Sequence, residues 1–360
     1  MREDWDIRLF KDVFDLQMGK TPDRKNFSLF EGDNTWVSIK DLDGKYISNS
    51  KECISDEAAK NIRLVKRGTV IMSFKLTIGK TAIAGKDLYT NEAIMAFNLR
   101  NGYDIDASFL YYYLKNYRWE GSNKAVMGIT LNKATISKHK IAIPPKSTQL
   151  SIVSELDKLN ELIQIKKEQL KDYDALAQSI FYEMFGDPVV NEKGWEVKKF
   201  GDLFKLKSGD GLSSKDFKTG VYPVYGGNGI SGYHDSFNMN GDYIIIGRVG
   251  VYCGNVRKVS GKFWLTDNAF KLIYHQKEQV SVFILYLLNI LDLHQYANAA
   301  AQPVISNLTL KYVNIILPPL SLQQSFAQKI EQIEQQKAAI QKTITDLETL
   351  LAARMQYWFD

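Results

Sequence analysis

The chain repeats itself once, and this duplication constrains its architecture more than any other feature. Residues 141–156 (IAIPPKSTQLSIVSEL) match residues 315–330 (IILPPLSLQQSFAQKI) without a gap, at an offset of 174. Near the start, WDIRLFKDVFDLQMG at 5–19 matches WEVKKFGDLFKLKSG at 195–209, but there the offset is 190. Because the offset between the two copies changes along the repeat, the copies must contain loops of different length. The repeat therefore predicts two globular blocks of one fold, each followed by one long segment.

Each long segment carries an apolar heptad pattern. Its seam positions recur at alternating spacings of four and three over nearly forty residues, which is typical of a helix with a helical partner. Each pattern starts after Pro-Pro and a serine, Ser147 or Ser321, which we expect to be the N-cap. The expected interface residues are Ile152, Leu156, Leu159, Ile163, Leu170, Tyr173 and Ile180 in the first helix and Ile330, Ile333, Ile340, Ile344, Leu347, Leu351 and Trp358 in the second.

The most direct partner for each long helix is the other long helix. A repeat folded within one chain would bring the two together antiparallel, with Leu170 near Ile340. Such a helix is about 57 Å long at 1.5 Å per residue, which is too long to pack along one small domain. The alternative is two separate exposed helices, each of which binds another protein.

The globular blocks have the composition of mixed α and β structure. Residues 69–74 and 243–246 have strand composition, whereas the aromatic-rich run 109–114 and its repeat 283–288 are better explained as buried helices. The expected fold class is α+β, with two mixed α/β domains separated and followed by long helices that form an antiparallel coiled coil. The expected division is residues 1–145 for the first domain, 146–186 for the central helix, 187–319 for the second domain and 320–360 for the C-terminal helix.

Positive charge is concentrated in the globular blocks. The chain of 360 residues has a formal net charge of +5, and residues 1–145 hold 23 Lys and Arg against 18 Asp and Glu. Residues 187–315 hold 14 against 11, whereas the two long segments are slightly acidic. This distribution suits a polyanionic partner such as nucleic acid.

The sequence contains no pattern typical of membrane insertion or of a disulfide framework. The longest apolar run, residues 282–291, is ten residues long and includes Asn289, whereas a membrane span needs about 20. The segment 1–4 contains two acids where a signal peptide is basic, so we expect a cytoplasmic protein. Cys53 and Cys253 lie 200 positions apart, and we expect both to be small apolar fillers.

A glycine motif at Gly227, Gly229 and Gly232 matches the GxGxxG spacing of dinucleotide sites. Such a site requires a buried strand before the motif and a helix after it. Here YPVY precedes the motif, and YHDS follows it without a helical period. We expect instead an aromatic-flanked surface loop that reaches into a nucleic-acid groove, or a purely structural turn.

A nuclease-like arrangement is present but weak. Glu196 and Lys198 follow Asp187, and paired acids with a lysine can hold magnesium for phosphodiester cleavage. The repeat places Asp6 and Arg8 at the positions of Glu196 and Lys198, so the segment is more simply an alternating first strand.

Other catalytic motifs are incomplete. Gly79-Lys80-Thr81 resembles the end of a phosphate loop, but Phe74 stands where the motif requires its first glycine. The two Pro-Pro pairs lack the flanking residues with which amino-methyltransferases hold a flipped base. No catalytic or metal spacing involves the four histidines, which are His139, His234, His275 and His294.

Polar loops in comparable places of the two blocks are the candidates for nucleic-acid contact. In the first block they are 19–25 and 73–80, and in the second they are 207–215 and 247–255. Lys and Arg contact phosphates, while Arg, Lys, Asn and Gln read base edges. The predicted DNA-binding residues are Lys20, Thr21, Arg24, Lys25, Lys75, Thr77, Lys80, Asn91, Lys207, Ser208, Lys215, Tyr225, Asn228, Tyr233, His234, Arg248, Tyr252, Asn255 and Asn268.

Taken together, these segments resemble the specificity subunit of type I restriction-modification systems. The resemblance lies in WDIRLFKDVFDLQMGKTP (5–22), YPVYGGNGISGY (222–233), VGVYCGNV (249–256), LTDNAF (265–270) and the two PP-x-S-x-Q-helix segments. It extends over essentially the whole chain.

The resemblance implies a non-catalytic protein with two target-recognition domains, each of which reads one half of a split, asymmetric DNA target. The long helices would set the spacing of the halves and dock two DNA methyltransferase subunits, with restriction subunits as further partners. S-adenosylmethionine, ATP and magnesium would be used by those partners, and this chain would bind no cofactor or metal. A helix of about 57 Å spans at most about 17 base pairs, and overlapping domains shorten this gap to roughly one helical turn.

Two other functions remain open from the residues alone. One is a coiled-coil scaffold without DNA specificity, whose DNA affinity would be weak and insensitive to sequence. The other is a DNA-modifying enzyme, which would show activity without partners. A specific DNA reader differs from both, because its affinity falls steeply with salt and it retains a large preference for its own site.

Overall fold

The chain divides into two compact units in a computed structural model. The first unit comprises Met1–Lys166 with Thr343–Asp360, and the second comprises Lys167–Lys342. The structure describes residues 5–119, 123–125, 128–275, 280–298 and 302–360. The segment 1–4, on which the expectation about a signal peptide rests, lies outside the described residues. Within the described residues, no helix combines the length and the apolar character that crossing a bilayer requires.

The first unit contains thirteen described strands, four short helices and parts of both long helices. Its strands are β1 (Asp6–Leu9), β2 (Phe14–Met18), β3 (Asn34–Val37), β4 (Tyr46–Ile47), β5 (Glu52–Ile54), β6 (Val70–Ser73), β7 (Lys75–Leu76), β8 (Thr81–Ala84), β9 (Tyr89–Thr90), β10 (Ile94–Leu99), β11 (Asn123–Ala125), β12 (Gly128–Thr130) and β13 (Lys140–Ile143). Its helices are α1 (Phe10–Val13), α2 (Asp56–Ala59), α3 (Ala107–Asn116), α4 (Lys133–Lys138) and the start of α5 (Lys146–Phe185).

A five-stranded sheet in the order β2-β10-β6-β8-β4 forms the centre of the first unit. Alternation places Met72 and Ile83 on the face that packs against α3 and the start of α5, while Ile71 and Ala82 lie in a core on the opposite face. Helix α3 begins where the Asp106 side chain accepts hydrogen bonds from two backbone N–H groups. All six residues of its FLYYYL run are buried, as their aromatic composition predicts.

The second unit repeats this plan with fewer strands. Its strands are β14 (Glu196–Lys199), β15 (Phe204–Ser208), β16 (Tyr222–Gly226), β17 (Gly229–His234), β18 (Met239–Asn240), β19 (Tyr243–Gly247), β20 (Val256–Val259), β21 (Lys262–Leu265), β22 (Ala269–Tyr274) and β23 (Asn314–Leu317). Its helices are α6 (Phe200–Leu203), α7 (Ser281–Ile290) and α8 (Asn307–Leu310), together with the end of α5 and the start of α9 (Leu320–Phe359).

The order of the strands confirms the duplication. In the described part of the second unit the central sheet has the order β15-β22-β19-β20, which corresponds to β2-β10-β6-β8 of the first unit and lacks an equivalent of β4. The antiparallel pair β1 and β13 corresponds to β14 and β23. Phe10 and Phe200 follow the first strand of each pair, and the N–H of each donates to a backbone carbonyl next to the second strand, that of His139 or Val313. The predicted α+β class with an internal repeat is therefore confirmed.

Both long helices run for forty residues, and they pair within each unit. In the second unit Phe181 packs edge-on against Phe326, and Asp174 forms an ion pair with Lys337 at 2.7 Å. Residue numbers fall along α9 as they rise along α5, so the helices are antiparallel there. In the first unit Glu155 of α5 forms an ion pair with Arg354 of α9.

The two expected serine caps are each wrong by two positions. Helix α5 begins at Lys146 and α9 at Leu320, so Ser147 and Ser321 lie within the first turn. The carbonyl of the second proline in each pair, Pro145 or Pro319, accepts a hydrogen bond from the first turn. A proline carbonyl can start a helix because the missing N–H of proline is not needed there.

Candidate nucleic-acid interface and helix pair

The first predicted DNA loop of each unit, 19–25 or 207–215, leaves its sheet strand at a glycine that tolerates no side chain. A Cβ on Gly19 would lie 2.1 Å from the carbonyl oxygen of Thr90, and one on Gly209 would lie 2.2 Å from that of Leu265. The next residue of each loop, Lys20 or Asp210, donates its N–H to the same carbonyl oxygen, at 2.9 and 3.0 Å. The two loops are therefore anchored at equivalent points, and both start where a side chain would displace the backbone.

In the first unit, Arg24 is already committed to partners within the chain. Its guanidinium donates to both carboxylate oxygens of Glu52 at 2.6 and 3.0 Å, and it lies over the rings of Phe30 and Trp36. This ion pair lowers the pKa of the Glu52 carboxyl below its usual range. These contacts show that Arg24 helps to hold the loop while 52% of its side chain stays exposed, and Lys20 and Lys25 are exposed cations beside it.

The remaining candidates of the first unit lie at a tight turn and beside the glycine anchor. Leu76 has a φ of 62°, which is rare for a non-glycine residue. The Ser73 hydroxyl holds the turn, because it donates to the Thr77 carbonyl and accepts from the Lys80 N–H. Other polar candidates on this surface are exposed Thr77 and Lys80, half-buried Lys75 and Asn91, and Thr21, whose hydroxyl donates to Glu92.

In the second unit, the predicted aromatic loop is a β-hairpin of β16 and β17. The turn between these strands presents Asn228 as an exposed residue, and the half-exposed Tyr233 lies on β17. A cleft of about 540 Å³ opens beside the turn. Its polar wall includes Asn228 and Asn268, together with Ser213 and Gln302, which the sequence reasoning missed. Their side chains can act as hydrogen-bond donors and acceptors, which suits contacts with base edges.

The hairpin also explains why the glycine motif is not a dinucleotide site. Gly227 lies in the turn between two antiparallel strands, Gly229 is the first residue of β17, and Gly232 lies within that strand. Within the described residues 227–275, strands follow the motif, and no helix N-terminus is placed there to hold a pyrophosphate. Gly79-Lys80-Thr81 likewise leads into strand β8 rather than into a helix.

His234 was predicted to contact DNA, and its burial contradicts this role. Only 6% of the residue is exposed. Its Nδ1 accepts a hydrogen bond from the backbone N–H of Lys218 at 3.0 Å, and its ring meets that of Trp264 edge-on. A ring held in this way has no free face for a base, so His234 supports the hairpin. Alternation along β17 indicates only that Tyr233 and His234 point to opposite faces, and not which of the two faces is buried.

The other candidates in the second unit remain accessible to different degrees. Arg248 donates to the Asp267 carbonyl at 3.2 Å and lies over the ring of Phe270. Tyr252 is 50% exposed at the tip of its loop. Exposed or half-buried candidates on this surface are Lys207, Ser208, Lys215, Tyr225, Asn255 and Asn268.

The nuclease-like residues do not form a metal site. Asp187 accepts hydrogen bonds from the backbone N–H groups of Val189 and Val190, which is a turn-forming arrangement. Glu196 and Lys198 lie on one face of β14, where they pair with each other at 3.5 Å. Among the described residues, no group of three His, Cys, Asp or Glu side chains is placed to hold a metal ion.

In each unit, the predicted helix-interface residues lie on buried or half-buried faces of the two long helices. In the second unit Ile330 and Ile333 are buried, and Leu170, Tyr173, Ile180 and Ile340 are half-buried. In the first unit Ile152, Leu156, Ile163 and Ile344 are buried, and Leu159, Leu347, Leu351 and Trp358 are half-buried.

The structure adds a pair of buried glutamines to this picture. Gln149 and Gln323 are 1% and 2% exposed, although each lies in the first turns of a long helix. Gln149 accepts from the N–H of Asp106 at 2.8 Å and donates to the Pro144 carbonyl at 3.0 Å. Gln323 accepts from the N–H of Val280 and donates to the Pro318 carbonyl in the same way. Each glutamine therefore joins its long helix to the residue that precedes α3 or α7. The sequence does mark these glutamines, because the same residue recurs in both PP-x-S-x-Q segments.

Comparison with known proteins gives one consistent result. The chain is 26% identical to the type I restriction enzyme EcoprrI specificity subunit of Escherichia coli, over 86% of this chain and 83% of that protein. It is 29% identical to the type I restriction enzyme MjaIX specificity subunit of Methanocaldococcus jannaschii, over 59% of this chain and 55% of that protein.

Two solved structures share the fold. One is the S subunit of a type I restriction-modification system from M. genitalium, with a TM-score of 0.55 and 17% identity over 99% of this chain and 96% of that chain. The other comes from work on assembly and conformational transition of the type I R-M system, with a TM-score of 0.66 and 18% identity over 100% of this chain and 98% of that chain.

The internal duplication also appears in the family match. The model of the type I restriction modification DNA specificity domain matches the chain twice, at residues 2–172 and 192–349. Each match contains one globular block and most of the long helix that follows it. The chain therefore belongs to the type I restriction-modification DNA specificity family.

Proposed function

We propose that this chain is the sequence-specific DNA-binding subunit of a type I restriction-modification complex, in which each globular block reads one half of an asymmetric, gapped target. The observation that carries this proposal is one repeated frame with unlike loops at equivalent points. Gly19 and Gly209 start loops of different sequence from matching strands. Unlike loops on one frame suit two unlike half-sites, whereas a homodimeric reader uses identical surfaces on a palindrome.

Within this function, residues 1–145 and 187–319 would be the reading domains. The exposed cations Lys20, Lys25 and Lys207 would contact phosphates, and Asn228 and Asn268 would read base edges. Arg24 would act through the loop that it organises rather than by direct contact.

The helices at 146–186 and 320–360 would fix the gap between the half-sites and dock two DNA methyltransferase subunits. The named relatives are subunits of restriction enzymes, which supports partners of this kind, including restriction subunits. S-adenosylmethionine, ATP and magnesium would then be bound by the partners in the cytoplasm, and this chain would supply specificity without catalysis.

A block exchange tests the division of labour. Residues 187–319 are replaced by the corresponding block of another family member, and the methylated sites are read by methylome sequencing of cells that also carry the methyltransferase partner. We expect one half of the methylated sequence to change and the other to stay. A change in both halves, or in neither, would contradict the proposal.

A binding measurement on the purified chain with its methyltransferase partner separates a DNA reader from a scaffold. We expect affinity for the methylated sequence to exceed that for an unrelated duplex by at least about 10³-fold, and to fall steeply as salt rises. Equal, weak affinity for both duplexes would favour the scaffold. Methyl transfer or cleavage by this chain alone would instead identify an enzyme.

A further inference from the structure

The two units differ at one edge of their central sheets. In the first unit β8 has a neighbour, β4, which runs parallel to it and pairs Tyr46 with Ile83. Among the described residues, the corresponding strand of the second unit, β20, is the last strand of its sheet and has no such neighbour. Strands β8 and β20 occupy equivalent positions. The N–H of Ser73 donates to the carbonyl of the residue just before β8, at 2.8 Å, and the N–H of Gly247 donates to that of the residue just before β20, at 2.9 Å.

The edge of β20 presents hydrogen-bonding groups of its backbone. The N–H of Gly247 donates to the carbonyl of Asn255. Because backbone groups alternate in direction along an antiparallel ladder, the N–H groups of Arg257 and Val259 then point toward β19. The N–H of Lys258 consequently points away from the sheet. Its equivalent in the first unit, the N–H of Ile83, donates to the carbonyl of Lys45 at 2.8 Å.

In the first unit the edge strand is fastened by a lysine. Lys45 immediately precedes β4, and its ammonium donates to both carboxylate oxygens of Asp157 on α5, at 2.6 and 2.8 Å. The ammonium also lies 5.1 Å from the ring centre of Tyr112, whose hydroxyl donates to Asp157. Asn160 completes the group by donating to the Tyr112 hydroxyl at 3.1 Å.

The second unit has acidic side chains at the equivalent positions, without a lysine from an edge strand; one of them, Glu334, pairs instead with Lys337 of its own helix at 2.9 Å. At the repeat offset of 174, Tyr286 corresponds to Tyr112, Glu331 to Asp157 and Glu334 to Asn160. All three line an open cleft of about 1060 Å³, whose other wall is β20 with Lys258. Within the described part of the chain, no ion pair or hydrogen bond engages the Glu331 carboxylate.

We propose that this cleft is a docking site for an extended segment of a partner protein, which adds to β20 as a fifth, parallel strand and places a lysine or arginine against Glu331. The first unit supplies the template, since there the same frame is completed by a strand and a cation from its own chain. Backbone hydrogen bonds at a sheet edge give affinity in such pairing, and the ion pair with Glu331 gives register.

A synthetic peptide with the sequence of residues 42–49 (LDGKYISN), capped at both ends and carrying a fluorophore, probes the site on the full chain. We expect saturable binding by fluorescence anisotropy and slower hydrogen exchange at Lys258 when the peptide is bound. Charge reversal by Glu331→Lys should weaken binding about tenfold or more, and a peptide with alanine in place of Lys45 should bind the wild-type chain equally poorly.

Lys258→Pro tests the strand pairing separately. The N–H of Lys258 points away from β19. A proline at this position therefore removes the donor at the sheet edge and keeps the hydrogen bonds between β20 and β19. Unchanged thermal unfolding checks that this variant folds, and we expect it to lose peptide binding.

The outcomes distinguish binding at β20 and Glu331 from two alternatives, which are a site closed by Lys258 and peptide binding in the first unit. Absence of binding overturns the proposal, as would happen if Lys258 itself covers Glu331. Binding that Glu331→Lys leaves unchanged also overturns it, because the peptide would then have replaced β4 in the first unit. Since Glu331 lies outside the predicted DNA loops, specific DNA binding by Glu331→Lys should stay at the wild-type level, so this test is independent of the proposed DNA recognition.

Discussion

Glu155 on the first long helix accepts hydrogen bonds from both Arg354 and Trp358 on the second, although Arg354 lies 199 positions later in the chain. The Trp358 indole N–H reaches the same carboxylate oxygen as Nη2 of Arg354, at 3.0 and 2.9 Å. The carboxylate is about two-thirds covered. One acidic side chain thus fixes the last two turns of α9 against α5 in the first unit.

Replacing the Glu155 carboxylate should make the stability of the contact between the two long helices depend less on pH. Arg354 lowers the pKa of Glu155 from its usual range, so the stabilisation is present above the unfolded pKa of about 4.3 and is lost as pH falls through the lower folded pKa. We expect Glu155→Gln to have a lower thermal midpoint than the wild type at pH 7, with a difference that shrinks below about pH 4. Thermal unfolding followed by circular dichroism between pH 7 and pH 3.5 measures this difference.

Glu161→Gln is the matched control, because Glu161 is exposed on the same helix. Its midpoint should follow that of the wild type at every pH. A difference for Glu155→Gln that stays constant across the range would contradict the assigned ion pair.

The buried glutamines should contribute strongly to stability. Gln323→Ala leaves the partly buried N–H of Val280 without its acceptor, which costs about 1–3 kcal/mol. We expect the free energy of unfolding in urea to fall by this amount, and Gln149→Ala to have a similar effect through Asp106. The exposed neighbour Gln324 provides the control, since Gln324→Ala should change the value by less than about 0.5 kcal/mol. Equal effects at 323 and 324 would refute the role of the buried amide.

The features that could be predicted from the sequence depend on local periodicity or on the duplication. The heptad spacing around Ile152 and Ile330 locates two forty-residue helices, because side-chain period reports a helix face directly. The Phe109 and Phe283 runs, which are almost entirely apolar or aromatic, identify the buried helices α3 and α7 for a similar reason.

The features that were missed depend on partners distant in sequence. The burial of His234 follows from a backbone N–H at Lys218 and a ring at Trp264, neither of which is marked by a local pattern. The two-residue strand β4 has no periodicity, and its place is decided by β8 and by Asp157, which is 112 positions from Lys45. The DNA-contacting residues themselves stay predictions, since loop chemistry alone does not fix which side chain meets a base.

Gly209, where the predicted DNA loop 207–215 leaves β15, should be essential for recognition. Gly209→Ala places a Cβ against the carbonyl oxygens of Leu265 and Thr266, so the loop backbone must shift. We expect affinity for the specific duplex to fall at least tenfold in a titration with the methyltransferase-bound chain. Gly211→Ala is the control, because a Cβ there meets no atom within 4 Å. If both variants bind like the wild type, the loop does not take part in recognition.

Two adjacent residues of β17 should separate DNA recognition from folding. Tyr233 is 55% exposed, so Tyr233→Ala should keep the unfolding free energy within about 0.5 kcal/mol and weaken specific DNA binding. Loss of a stacked base costs about 1–3 kcal/mol, which corresponds to roughly a 5- to 150-fold loss of affinity.

His234→Ala should do the reverse, because it removes a buried ring and the acceptor for the Lys218 N–H. We expect about 1–3 kcal/mol less stability, with DNA affinity of the remaining folded protein near the wild-type value. Urea unfolding and DNA titration on both variants provide the comparison. A His234→Ala protein that is fully stable but fails to bind the specific duplex would restore this histidine as a DNA contact and would show that the hairpin changes its packing on DNA.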